Sequence, residues 1–543
     1  MYLIIRGFVL LVTLLVLFLM TRSYFKDNKL MIAGIYLVVI FFASFLLYRL
    51  ATFPNIFLDE GNGMYDSWCL ANYGMDSHLI KNPVYLEGHA GQGQSVLYAY
   101  IAGNFMKILG YKLFIFRLPL VLISISTLLI LIYVALRRGS ARIAFWIALV
   151  VASSPYILDV SRFGMDCNIA PFMVASGSAI TYLGITQEKR LVRLTQLILG
   201  FLIIGLTAYS YNVGWIFLPV YLLTLAIFLL TTRKVKITEV ILPVALLIIE
   251  LIPIMIFAVR SNIPSLNKTV KILFWTSPRL QVGRADASFI DFKNHILANI
   301  YHNITEGLTM FINGTDGLSW NSVGNFGPYY MFTLPFFIWG LFIILKRRSI
   351  MDYFIIAQFV GMMPIMLIVT PNYNHWIFLH FSVLMVIGIG IIDLVSNYNK
   401  FKYVLIIVYA ISMVSYTKQY FTLERYTGWD IGAIDKIVSL NTSKYNKVYF
   451  ASDDGAFLYV ARVAAPVSPN EFQKTKDNPY SKVNLGMDNK YSNFERLTPD
   501  SKISNNSLII LPREKVSEYG KKIKGRRNSN TFRLANVDYL VYE

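Results

Sequence analysis

From Tyr2 to Tyr420 the chain is a succession of apolar runs about 20 residues long, broken by short polar loops. Runs of that length pair their own backbone groups only as helices, and so many of them cannot all be buried in one soluble core. Charged residues make up 15% of the 543 and hydrophobic ones 56%; a soluble domain carries about 25% charged residues. The expected class is mainly α, a polytopic membrane protein. Spans are read at roughly 2–21, 30–50, 113–136, 142–159, 167–186, 195–211, 213–231, 238–259, 329–345, 351–369, 375–394 and 403–420, about twelve transmembrane helices in all.

The formal net charge of +19 sits in alternate loops: Arg22/Lys26/Lys29, Arg137-Arg138/Arg142, Lys189-Arg190/Arg193, Arg233-Lys234/Lys236, Lys346-Arg347-Arg348 and Lys400/Lys402. That alternation follows the positive-inside rule and assigns these loops to the cytoplasm, with both termini outside. It excludes nucleic acid as a partner, because no basic stripe interleaved with aromatics accompanies the charge. The first run lacks a small-residue cleavage site before Arg22 and reads as a retained span rather than a signal peptide. Residues 1–420 form the expected transmembrane domain, with larger outer segments at about 51–112 and 260–328. From about 421 to 543 the apolar content falls, and the short runs Lys447–Ala451, Ser507–Leu511 and Val537–Tyr542 predict a small extracytoplasmic α/β domain. The stretch Gln94–Leu109 is too short and amphipathic for a span and reads as an interfacial helix.

Acidic residues at a membrane edge are costly to place and point to function. Asp59-Glu60 follows the second span; Asp59 suits a general base toward a hydroxyl and Glu60 an acceptor or cation ligand, although Asp also caps helices. In Ser161-Arg-Phe-Gly-Met-Asp166, Arg162 and Asp166 are spaced either for an (i, i+4) ion pair or for a phosphate contact beside an acidic pocket. Arg117 opens the third span, either snorkelling to headgroups or holding a phosphate. His375 opens the eleventh, either as a donor to a leaving phosphate or as part of a helix cap with Asn374. The loop His89-Ala-Gly-Gln92-Gly-Gln94 permits close backbone approach to a ligand but lacks the Gly-Lys-Ser/Thr of a nucleotide loop. Tyr209 and Tyr211 belong either to an interfacial aromatic belt or to a sugar platform. Cys69 and Cys167 have no metal spacing and are expected to be unpaired thiols. Paired carboxylates leave a divalent cation, Mg²⁺ or Mn²⁺, open without an evident ligand set.

The order Asp59-Glu60, Gly74-Met-Asp76, Gln94-Ser-Val-Leu-Tyr-Ala-Tyr-Ile101, Phe116-Arg-Leu-Pro119, Ser154-Pro-Tyr156, Ser161–Asn168 and Leu206-Thr-Ala-Tyr-Ser-Tyr211 resembles the family 39 glycosyltransferases. These are polytopic enzymes of the C-type fold that include protein O-mannosyltransferases and lipid A aminoarabinose transferases. The resemblance covers about residues 50–230 and extends more loosely to about 400. It implies a sugar donor on a polyprenyl phosphate, an envelope glycan, lipid or protein acceptor, Asp59 as catalytic base with Glu60 beside it, and Asp166 as the second acid. Arg162 and Asn168 flank that acid. Many members carry Lys-Pro-Pro where this chain has Gln94-Ser95-Val96, so Arg117, Arg162 or His375 would take over the donor phosphate.

The expected function is inverting sugar transfer to a hydroxyl at the outer face of a bacterial plasma membrane. The alternatives are a lipid-linked saccharide flippase or a non-catalytic assembly protein. A flippase usually shows internal repeats and broken spans at mid-membrane, whereas the ionisable residues here gather at span ends.

Overall fold

The computed structural model describes all residues except 27, 89–90, 282–287, 319, 325, 423–430, 452–455, 476–489 and 535–536. It divides into two compact units: a helical unit of residues 1–50, 117–258 and 285–424, and a mixed unit of 51–116, 259–284 and 425–543. The C-terminal segment is thus gathered into one unit with two segments that lie between helices earlier in the chain.

Among the described residues, ten helices are long and apolar enough to cross a membrane, which makes this a multi-pass membrane protein. The helical unit begins with α1 (Tyr2–Thr21) and α2 (Lys29–Leu47). Two helices of the mixed unit intervene, α3 (Leu58–Tyr73) and α4 (Leu97–Leu109). Then follow α5 (Leu113–Arg138), α6 (Ala141–Ser153), α7 (Pro155–Val160), α8 (Ala170–Ile185), α9 (Arg190–Gly205), α10 (Gly214–Thr231) and α11 (Ile237–Asn262). After α12 (Ile296–Asn313) come α13 (Leu334–Arg347), α14 (Ile350–Ile368), α15 (His380–Asn397) and α16 (Phe401–Thr422).

Ten of the expected spans coincide with these long helices, and the other two are shorter. The run expected at 142–159 breaks at Ser154 because Pro155 follows: Ser154 is extended at ψ 124°, and its hydroxyl accepts from the Ile157 amide to cap α7. The run at 329–345 starts as a 3₁₀ turn, Met331–Thr333, before α13. Packing between spans relies on small residues. A Cβ on Gly177 of α8 would press on the Gly200 carbonyl oxygen of α9, and one on Gly200 would overlap Thr181, so the two backbones meet directly.

In the mixed unit, a hairpin joins β1 (Leu86–Glu87) to β2 (Gly93–Gln94), and another joins β3 (Val270–Ile272) to β4 (Trp275–Ser277). The C-terminal segment folds as a six-stranded sheet. Its strands are β5 (Lys447–Phe450), β6 (Lys490–Tyr491), β7 (Phe494–Arg496), β8 (Ser507–Pro512), β9 (Asn528–Leu534) and β10 (Val537–Tyr542), in the order β6-β7-β5-β8-β10-β9. β5 runs parallel to both β7 and β8, and β10 antiparallel to β8 and β9. Every residue of β8 is buried, as a continuous apolar run in a central strand requires. Helices α17 (Ile431–Ser439), α18 (Ala456–Ala464) and α19 (Pro469–Thr475) accompany the sheet, and the three strand-like runs of the sequence are all strands of it.

Candidate active site

The sequence places Asp59 and Glu60 in the first turn of α3, where carboxylates oppose the positive helix end. Neighbouring residues on a helix point about 100° apart, and the two acids differ accordingly: Glu60 is fully buried, while Asp59 is half-buried. Gln94, at the end of β2, donates from Nε2 to the Asp59 carbonyl oxygen at 3.0 Å and is itself buried. The Gln92 carbonyl accepts from the Gly88 amide at 2.6 Å and closes the same hairpin. His89 lies outside the described residues. Helix α4 packs on α3 through Gly103, where a Cβ would overlap the Ser67 carbonyl oxygen.

Two further carboxyls lie in this unit. Asp66, seven residues after Asp59 and so on the same face of α3, accepts from the Ser77 amide at 2.9 Å. Asp76 accepts at one oxygen from the His78 and Ile80 amides, at 2.9 and 2.8 Å, and its other oxygen is buried with no hydrogen-bond partner among the described residues. Burial pushes both acids above the usual carboxylate range; for Asp76 the neighbouring Asp66 adds to the rise, and for Asp66 the Ser77 hydrogen bonds oppose it. The C-terminal domain closes on this region. The Arg462 guanidinium stands 5.2 Å from the centre of the Tyr65 ring, the Tyr65 hydroxyl donates to the Val467 carbonyl at 2.8 Å, and Gln473 donates to the Ser77 carbonyl at 2.7 Å. The i+7 spacing from Asp59 to Asp66 was the sequence signal for this second acid; nothing in sequence linked Arg462 to it.

The remaining candidates belong to the helical unit. Asp166 is buried and opens a 3₁₀ turn, Asp166–Ile169, that leads into α8. Arg162 lies in the preceding turn, so the two do not share the single helix that an (i, i+4) pair requires. Arg162 is fully buried and donates to the carbonyls of Phe45, Leu46 (2.9 Å) and Tyr48 (2.7 Å), with Phe45, Tyr420 and Phe421 against its cationic face. Arg117, also fully buried, donates to the Leu50 carbonyl at 3.2 Å. Both cations therefore serve the carbonyl-rich C-terminal end of α2, a favourable place for positive charge.

Asn168 is buried and donates to the Phe163 carbonyl at 3.1 Å, closing its own loop. Tyr209 donates to the Glu250 carbonyl at 2.5 Å and so ties the end of α9 to α11. Tyr211 is buried near Tyr156. His375 sits in a turn with Nδ1 2.6 Å from the Thr370 carbonyl oxygen, and its amide donates to the Asn372 side chain at 2.6 Å. The Asn372 side chain also meets the ring at Nδ1, at 3.1 Å.

Sequence reasoning passed over His380. It is fully buried, stacked on Tyr156 with ring centres 3.6 Å apart; Tyr329 donates to Nδ1 at 2.7 Å, and Nε2 reaches the Tyr373 carbonyl at 3.1 Å. A carbonyl only accepts, so Nε2 carries a proton. Tyr156 in turn lies within electrostatic reach of Cys167, next to Asp166. Cys69 and Cys167 are both buried, and neither is in a disulfide. Among the described residues no three His, Cys, Asp or Glu side chains gather to hold a metal.

No family model matches the sequence, and no curated protein does. Solved structures do. The apo structure of ArnT from Cupriavidus metallidurans is similar over 95% of this chain and 98% of its own, at TM-score 0.57 and 10% identity. ArnT bound to undecaprenyl phosphate matches at TM-score 0.54 over the same shares, again at 10% identity. The Archaeoglobus fulgidus oligosaccharyltransferase AglB, with an inhibitory peptide and a dolichol-phosphate, matches at TM-score 0.51 and 13% identity, over 81% of this chain and 64% of that one. Its complex with zinc and sulfate matches at 0.53 and 12% identity, over 90% and 69%. The helical order, the mixed C-terminal unit and these likenesses together give the chain the C-type glycosyltransferase fold.

Proposed function

We propose that this protein is an inverting glycosyltransferase that moves a sugar from a polyprenyl-phosphate donor to an acceptor hydroxyl at the outer face of a bacterial plasma membrane. One observation carries the reading: an accessible carboxylate, Asp59, stands in the first turn of α3, in a chain whose fold is shared with a protein solved with undecaprenyl phosphate and another solved with dolichol-phosphate. The Asp59 carboxylate takes the proton of the acceptor hydroxyl as that oxygen forms its bond to the anomeric carbon. The bond from that carbon to the phosphate oxygen breaks on the opposite face, and polyprenyl phosphate leaves with the electron pair. Glu60 stands beside Asp59 in the same turn. Arg117 and Arg162 hydrogen-bond to carbonyls at and just beyond the C-terminal end of α2, so their first role in this reading is to hold that end in place. The hexosyl or pentosyl donor and the glycan, lipid or protein acceptor are read from the envelope itself. Mass spectrometry of envelope glycans is compared between a deletion strain and strains complemented with wild type or Asp59→Asn. A sugar lost on deletion and restored only by wild type supports the reading; equal restoration by Asp59→Asn moves the function to a flippase or assembly role.

A further inference from the structure

A second site lies within the helical unit, away from every residue assigned above. A cavity of about 400 Å³ opens where α5, α8, α13 and α15 end in the loops that the positive-inside rule assigns to the cytoplasm. Such a volume is within the range of ordinary ligand sites. Its walls are apolar, from Leu131, Ile143, Ala179, Met351, Phe381 and Met385. It extends along α15 from Phe381 to Ser396, roughly 22 Å at 1.5 Å per residue, deeper than one leaflet of hydrocarbon.

The mouth is cationic. Arg138 is exposed and has no hydrogen bond or ion pair among the described residues. Arg347 spends Nε and Nη2 on Asp352, at 3.0 and 2.6 Å, leaving Nη1 at the rim. Among the described residues the one acid lining the cavity, Asp393, accepts at Oδ2 from Trp339 and Asn397, at 2.9 and 3.3 Å, and its single negative charge stands against two arginines. Deeper polar groups already pair: Ser178 with Tyr221 at 2.7 Å, and Ser382 with Gln358 at 2.5 Å. The interior therefore asks for hydrocarbon and only the mouth asks for an anion. We propose that this cavity binds a phosphate-headed anionic lipid of the cytoplasmic leaflet, its headgroup at Arg138 and Arg347 and one chain among the apolar walls. This assignment is independent of sugar transfer.

The test uses purified full-length protein in detergent, native mass spectrometry, and dioleoyl phosphatidylglycerol against dioleoyl phosphatidylcholine and free glycerol phosphate. Phosphatidylglycerol should be retained. Arg138→Gln should reduce its retention roughly tenfold, the worth of one charge-assisted contact, and Ala179→Phe, which fills the cavity, should abolish it. Equal retention of phosphatidylcholine, or retention indifferent to Arg138→Gln, would overturn the proposal. Displacement by glycerol phosphate alone would mark a site for soluble phosphate and overturn it as well. Should Ala179→Phe not fold, the exposed Arg138 variant decides. Neither readout involves the transferase chemistry, so failure here leaves that reading intact.

Discussion

Asp59 and its neighbour Glu60 differ in exposure, and that difference is why the proposed base is Asp59. A carboxylate that must take a proton from an incoming hydroxyl has to be reached; Asp59 is half-buried, whereas Glu60 is sealed. Asp59→Asn should lower transfer by roughly 10²–10⁴-fold, the usual worth of general-base assistance, while leaving retention of a polyprenyl-phosphate donor unchanged in the same purified protein. Gln94 holds the Asp59 carbonyl through one neutral hydrogen bond. Gln94→Ala should therefore slow transfer about fivefold, the equivalent of about 1 kcal/mol, in a steady-state assay that also follows unfolding temperature. Asp59 drew attention in sequence because an acid beside an apolar run has few structural reasons to be there. The partners of Asn168 and Tyr209 were not legible, since they are backbone carbonyls whose position only the fold supplies.

At the level of elements, the end of α2 is held by side chains far away in sequence. Arg162 supplies three carbonyls and Arg117 a fourth, covering the turn where α2 runs out of intrahelical donors. A planar guanidinium can serve several acceptors at once and an ammonium cannot match that spread. Arg162→Ala should cost several kcal/mol, since each buried carbonyl left unpaired costs about 1–3 kcal/mol. Arg162→Lys should recover only part of it, both read as thermal unfolding in detergent. An Arg162 that acted only on a donor phosphate would instead lower transfer without moving the unfolding temperature. Apolar periodicity located the spans well because membrane helices declare themselves by length. It missed the break before Pro155, where a local backbone restriction and a serine cap override a continuous apolar run, and it gave no sign that the arginines at these loops face inward.

Across the whole molecule, the C-terminal sheet domain is bound to α3, the helix that carries Asp59. Tyr65, which hydrogen-bonds to Val467 and lies under Arg462, and Ser77, which accepts from Gln473, form that junction, and Asp66 and Asp76 lie beside it. Their carboxyls are held above the ordinary range by burial and, at Asp76, by mutual repulsion. Below about pH 4 both are protonated whether the unit is folded or not, so their neutral forms cost nothing. As pH rises through the raised folded values, the unfolded chain has already released protons that the folded unit retains, and that contribution to stability is lost. The mixed unit should accordingly unfold at a lower temperature at pH 8 than at pH 5. Asp76→Asn keeps the acceptor used by the His78 and Ile80 amides and removes one of the titrating groups; it should narrow the gap between the two pH values and raise the unfolding temperature at pH 8. An unchanged gap in Asp76→Asn would shift the pH dependence to other groups. If Arg462 is the counter-charge that steadies Asp66, Arg462→Gln should widen the same gap. The two substitutions should then move the pH dependence in opposite directions, a result that general destabilisation of the domain would not produce.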